Sequence, residues 1–186
     1  MTFKEKYGDH SSEIYPKYLN LLNQKLTSLE GCYKEIKKDF TCSNNNLSSL
    51  KGAPKVVGGT FICYGSNLKS LEGAPKIVGR NFTCANNKLI SLKGSPRTIN
   101  ENFWCNNNDL ISLEGAPRTV NGDFNCSKNP KLNSLDDLLE TEIKGNLISD
   151  IITDKEFKED QKLYNKVNKN LSKYKKLKKL LQATKV

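Results

Sequence analysis

Residues 26–46, LTSLEGCYKEIKKDFTCSNNN, are rewritten at 47–67 as LSSLKGAPKVVGGTFICYGSN, at 68–88 as LKSLEGAPKIVGRNFTCANNK and at 89–109 as LISLKGSPRTINENFWCNNND. A fifth copy, LISLEGAPRTVNGDFNCSKNPK, fills 110–131. The step is 21 residues, held in register by Leu26, Leu47, Leu68, Leu89 and Leu110 and again by Phe40, Phe61, Phe82, Phe103 and Phe124. A sixth unit starts one residue late at Leu132 and runs only as far as LNSL. A fixed period of this size predicts a stacked array in which each unit buries its apolar face against the next.

Inside one unit the apolar positions alternate through Val57, Gly59, Phe61 and Cys63, which predicts a short strand with Phe and Cys pointing inward. An Asn-rich corner follows, then Leu68 and Leu71 three residues apart. Gly73-Ala74-Pro75 then breaks the chain, because glycine frees the backbone and proline removes a donor. The expected coil has a strand, a corner and a return arm, repeated from 26 to 135.

The order Phe61-x-Cys63-x-x-Ser66-x-Leu68, repeated as Phe82-x-Cys84-x-x-Asn87-x-Leu89, resembles the leucine-rich repeat. Asn45, Asn87, Asn108 and Asn129 hold the asparagine place of that motif, with Ser66 as a substitute. The motif's first leucine is replaced by Lys37, Gly58, Gly79, Asn100 and Asn121, while Val57, Val78, Ile99 and Val120 sit one place earlier. The short period is most similar to the bacterial and bacteriophage class of these repeats. The resemblance implies an α/β solenoid with a parallel β-sheet on its concave face, a helical N-terminal cap and a helical C-terminal extension. By analogy it implies a phage or mobile-element product that binds and inhibits a host protein complex.

The flanks complete the domain plan. Residues 1–25 read as a helical cap, with Thr2-x-x-Glu5 capping a turn that stops at Gly8 and a second helix from near Pro16 carrying Tyr18, Leu19, Leu21 and Leu22. Residues 136–153 read as the opposite cap, with a short helix from Asp136 to near Gly145. Thr153-x-x-Glu156 then opens a helix expected over 154–183, within a basic segment 154–186. Its stripe is Tyr164, Val167, Leu171, Tyr174, Leu177 and Leu181. From Gln161 to Val186 there are nine lysines and no acid, against a net charge of +10, so residues 1–160 carry only +1.

Several groups are candidates for chemistry or binding. Cys42, Cys63, Cys84, Cys105 and Cys126 share one place in the coil and read as an inward column of small apolar residues. No C-x-x-C pair accompanies them, and the only histidine, His10, lies outside the repeats, so neither a metal nor a cofactor is expected. Residues flanking Phe and Cys must point outward. Among them Trp104, Tyr64 and Ile62, with Thr83, Asn102, Asn106 and Asn125, form the candidate partner-binding face, since aromatics among small polar residues resemble interface anchors.

Two charge columns run along the arms. Glu30, Lys51, Glu72, Lys93 and Glu114 alternate in sign and favour register. Lys34, Lys55, Lys76, Arg97 and Arg118 are all basic, which calls for the adjacent acids or for an anionic partner. The last helix offers Lys162, Lys166, Lys169, Lys173, Lys175, Lys176, Lys178 and Lys179 for self-association alongside the stripe, or for phosphate contact. No Walker loop, G-x-S-x-G or H-E-x-x-H occurs, so a non-enzymatic binding protein is expected. Its partner is expected to be a protein. The alternatives are a nucleic-acid-associated protein using the basic helix, and a structural or virion assembly component. No apolar run long enough to span a bilayer and no apolar leader in MTFKEKYGDH are present, which points to the cytoplasm.

Overall fold

The structure, a computed structural model, describes residues 1–162 and 165. The chain winds as a parallel-strand β-solenoid. Seven two-residue strands stack in one ladder, from Leu19–Asn20 through Phe40–Thr41, Phe61–Ile62, Phe82–Thr83, Phe103–Trp104 and Phe124–Asn125 to Leu147–Ile148. Phe40, Phe61, Phe82, Phe103 and Phe124 are in direct register, so the 21-residue step is one turn of the coil. We call this the Phe ladder.

A second ladder follows the inward Val57, Val78, Ile99 and Val120. Four strands run from Ile14–Tyr15 to Ile77–Val78 and three from Thr98–Ile99 to Glu142–Ile143. The single strand expected across 57–63 is therefore two, with a corner between them. The corner is made by side chains that take over the work of the ladder. Asp39 Oδ1 accepts the Thr60 N–H at 2.8 Å, Asn81 Oδ1 that of Asn102 at 3.1 Å, Asn102 Oδ1 that of Asp123 at 2.8 Å and Asp123 Oδ1 that of Asn146 at 2.8 Å. Each carboxylate or amide bonds one coil onward, so the backbone can bend without leaving its N–H unpaired.

The return arms are turns rather than helices. Gly73 and Gly94 sit at φ +87° and +96°, in the left-handed region, and the proline two residues on cannot continue a helix. The α/β character expected from the resemblance is thus absent from the arms.

The core is a narrow column to which each coil adds a Phe, a Cys, a Val or Ile and two Leu side chains. The five phenylalanines are fully buried, and consecutive ring centroids lie 5.0–5.7 Å apart. Leu47, Leu50, Leu68, Leu71, Leu89 and Leu92 close it from the arm side with no exposure.

Both ends depart from the helical caps. Thr2 and Glu5 form the expected capping box around the helix Phe3–Tyr7. The helix expected from Pro16 is not formed: Ile14–Tyr15 and Leu19–Asn20 pair with Glu35–Ile36 and Phe40–Thr41. Tyr15, Leu19 and Leu21 stand 21 residues before Ile36, Phe40 and Cys42, so this segment is a degenerate first coil. A ready-made sheet edge offers it backbone partners that a short helix lacks.

At the other end, within 136–153, only Asp136–Leu138 is helical, as a 3-10 turn. Glu142–Ile143 and Leu147–Ile148 then join both ladders, in register with Thr119–Val120 and Phe124–Asn125. The lid is the helix over 154–162. Thr153 and Glu156 cap it reciprocally, Phe157 is buried against the last coil, and Gln161 Nε2 donates to the Thr141 carbonyl at 2.6 Å. Tyr164, Val167, Leu171, Tyr174, Leu177 and Leu181, the expected stripe, lie outside the described residues.

The cysteine column is core. Cys42, Cys63, Cys84, Cys105 and Cys126 are buried, and each thiol faces a carbonyl of the next coil, at 3.3 Å for Cys105 and 3.7 Å for Cys42. Burial raises every one of these thiols above the ordinary cysteine range, Cys126 to about 12, and raises Cys32 to about 12. All six cysteines are free. The native protein is therefore expected to be silent toward a thiol reagent such as Ellman's at mildly alkaline pH, and to react at every cysteine once denatured. A fast-reacting native thiol would contradict this packing.

Candidate binding faces

Alternation along each strand builds the first face. Phe103 and Cys105 are fully buried, so Trp104 between them is turned outward, 38% exposed. The ladder aligns it with Thr41, Ile62 and Thr83 on one side and with Asn125 and Ile148 on the other. Ile62 and Tyr64 are half-buried. Ile148 is 40% exposed and extends the apolar row past Trp104, two coils on. Sequence reasoning missed Ile148 because the last coil arrives late. Gly145-Asn146-Leu147-Ile148 echoes Gly122-Asp123-Phe124-Asn125 after 23 residues instead of 21.

The polar members of this face divide. Asn102 is committed to the corner, its Oδ1 accepting the Asp123 N–H. Asn125 is committed to a local turn, its Oδ1 accepting from the Ser127 N–H at 3.0 Å and hydroxyl at 2.7 Å. Thr83 and Asn106 carry no such bond through their side chains and remain half-exposed beside Trp104. No lysine or arginine stands on the outward positions of this ladder, which are flanked by Asp39, Asp123 and Asp150.

The second face is basic. Lys34, Lys55, Lys76, Arg97 and Arg118 are all exposed and follow one another coil by coil. The Lys55 and Lys76 N–H groups each donate to the preceding lysine's carbonyl at 2.9 Å, and that of Arg118 donates to Arg97 at 2.8 Å. None of the five takes part in an ion pair among the described residues. The alternating column beside them forms one close pair, Lys93–Glu114 at 2.9 Å. The neighbouring acids therefore do not neutralise the basic row by contact.

Lys162 is exposed on the capping helix, while Lys166, Lys169, Lys173, Lys175, Lys176, Lys178 and Lys179 lie outside the described residues. Among the described residues no group of three His, Cys, Asp or Glu side chains is placed to hold a metal ion. No described helix is long and apolar enough to cross a membrane. No family model, curated protein or solved structure matches this chain.

Proposed function

We propose that this chain is a non-enzymatic protein-binding module, a solenoid of the leucine-rich-repeat kind that holds a protein partner on the outward face of its Phe ladder. The observation that carries the reading is the exposure of Trp104. A large, rigid side chain stands half out of a flat, mostly small and polar sheet, with Ile62, Tyr64 and Ile148 around it. Buried aromatic anchors ringed by small polar groups supply most of the energy in protein interfaces. The scaffold under Trp104 is fixed by two neighbouring strands, so little ordering cost attends its burial.

Trp104→Ala removes an exposed ring and is expected to leave folding nearly unchanged, while weakening partner capture by roughly 30-fold or more, the effect of an anchor worth about 2 kcal/mol. The test is a pull-down from nuclease-treated lysate of the producing cell, comparing the full-length protein with Trp104→Ala. The captured protein is then titrated against both. As the chain's only tryptophan, Trp104 should lose its accessibility to acrylamide quenching when the partner binds. Equal affinity for both proteins would overturn this assignment.

A further inference from the structure

We propose that the row Lys34–Lys55–Lys76–Arg97–Arg118 is a second binding surface, taking the phosphodiester backbone of a nucleic acid without reading its bases. This surface is independent of the Trp104 face, and it belongs to the body of the solenoid, not to the lysine-rich C-terminal segment.

Like charges stacked one coil apart, about 4.8 Å in a parallel ladder, repel one another. Here, among the described residues, no carboxylate lies within ion-pair distance of any of the five to offset the repulsion. The row spans about 19 Å, the reach of a few successive phosphates on one strand of a duplex. The groups around it suit phosphate oxygens. Thr98, Thr119 and Asn121 follow Arg97 and Arg118 on the same turn of chain. Hydroxyls, amides and backbone N–H groups are the usual companions of Arg and Lys in backbone recognition.

Two further features coincide with the row. At its first coils Lys34 and Lys55 share a cleft with Lys51, Ser11, Tyr33 and one acid, Glu30. Midway, the ladder is interrupted between Ile77–Val78 and Thr98–Ile99. The bonds that the Lys76 and Gly79 N–H groups make to the preceding coil have no counterpart from Arg97 and Asn100 among the described residues. The Asn100 side chain bridges that seam instead, its Nδ2 donating to the Gly79 carbonyl at 3.3 Å. Base stacking is not part of the surface, because no exposed aromatic accompanies the row from coil to coil, which excludes a single-strand stacking platform. An acidic peptide is the competing occupant. It is disfavoured by the near absence of apolar side chains along the Arg half, where such a peptide would need anchors.

The experiment is fluorescence anisotropy with the full-length protein, using a 20-base-pair DNA duplex, a 20-nucleotide oligothymidine and a 20-residue polyglutamate, over a range of salt. The variant carries Lys55→Gln, Lys76→Gln and Arg97→Gln, with every lysine after residue 161 retained. Circular dichroism confirms that it is folded. The proposal expects the variant to bind the duplex roughly tenfold or more weakly, with its salt slope reduced by about three, one unit for each phosphate left without its cation. An unchanged affinity and slope would assign all binding to the C-terminal lysines and overturn the proposal. Failure to bind either nucleic acid at low salt would overturn it. Tighter binding of polyglutamate, abolished in the variant, would reassign the row to an acidic protein.

Discussion

Phe82→Ala is expected to destabilise the protein by about 3–5 kcal/mol, the upper range for a buried aromatic truncated to a methyl group. Phe82 stands at the middle of the phenylalanine column, fully buried, with the rings of Phe61 and Phe103 at 5.0 and 5.4 Å. Truncation removes the transfer free energy of the ring and two ring–ring interactions worth about 0.5–1.5 kcal/mol each. The surroundings cannot collapse to fill the space, because coil spacing is set by backbone bonds above and below, from Phe82 N–H to the Asn102 carbonyl and from Phe61 N–H to that of Asn81. A solenoid couples each unit only to its neighbours, so a weakened middle interface also threatens the cooperativity of the whole array. Urea unfolding followed by circular dichroism should show a lower midpoint, with either a shallower slope or two resolved steps. Phe82→Leu should be much milder, since the first and last coils carry Leu19 and Leu147 at this place. A destabilisation below about 1 kcal/mol for Phe82→Ala would mean that the column does not act as the core.

The repeated core was legible because period and burial coincide. Every position that recurs as Leu, Phe or Cys at 21-residue spacing is buried. The ends were misread for one physical reason: stacking edges override local propensity. Pro16-Lys17-Tyr18-Leu19 carries helix-compatible signals, but its Leu19 and Leu21 fit the place of Phe and Cys on an open coil, and tertiary pairing wins. The last coil hid behind a two-residue insertion. Leu138 and Leu147 keep the buried places there, while Leu139 is only half-buried, so a search at fixed step finds no continuation.

The candidate faces were legible to different degrees. The outward turn of Trp104 follows from strand alternation alone. Asn102 and Asn125 looked equally available, yet both amides are used within the fold, a distinction that composition does not carry because asparagine serves surfaces and corners alike. The charge columns show the opposite case. Alternation of Glu and Lys pointed to register, and the adjacent acids were one of two ways to balance the basic row, but exposed long side chains gain little by pairing, and a single close pair formed.

The asparagine ladder supplies the second large effect. Asn108 is buried, and its Nδ2 donates to the carbonyls of Cys84 at 3.2 Å and Cys105 at 3.0 Å while its Oδ1 accepts the Leu89 N–H at 3.1 Å. Asn45, Asn87 and Asn129 repeat the arrangement, with Leu26, Leu68 and Leu110 as donors. This is how a chain turning sharply through an apolar column satisfies its backbone without water. Asn108→Ala leaves the Leu89 N–H without its acceptor in the core, while the Cys84 and Cys105 carbonyls each keep one donor, from Asn87 and Asn129, so a loss of about 1–3 kcal/mol is expected. The chain contains its own control at Ser66. There the side chain is too short for the full set; its hydroxyl accepts the Asn45 N–H at 3.3 Å, and no bond runs from it to the Leu47 N–H or the Cys42 carbonyl. Asn108→Ser should therefore fall between wild type and alanine. The converse substitution, Ser66→Asn, should raise stability by about 1 kcal/mol by completing the missing rung, because the carbonyl and amide it would reach already stand in the geometry of the other coils. Chemical denaturation of the three variants decides the matter. If Ser66→Asn stabilises while Asn108→Ala destabilises, the ladder and not side-chain volume fixes the corner. If both destabilise, the Ser66 coil is instead shaped around its smaller residue, and the rungs are not interchangeable.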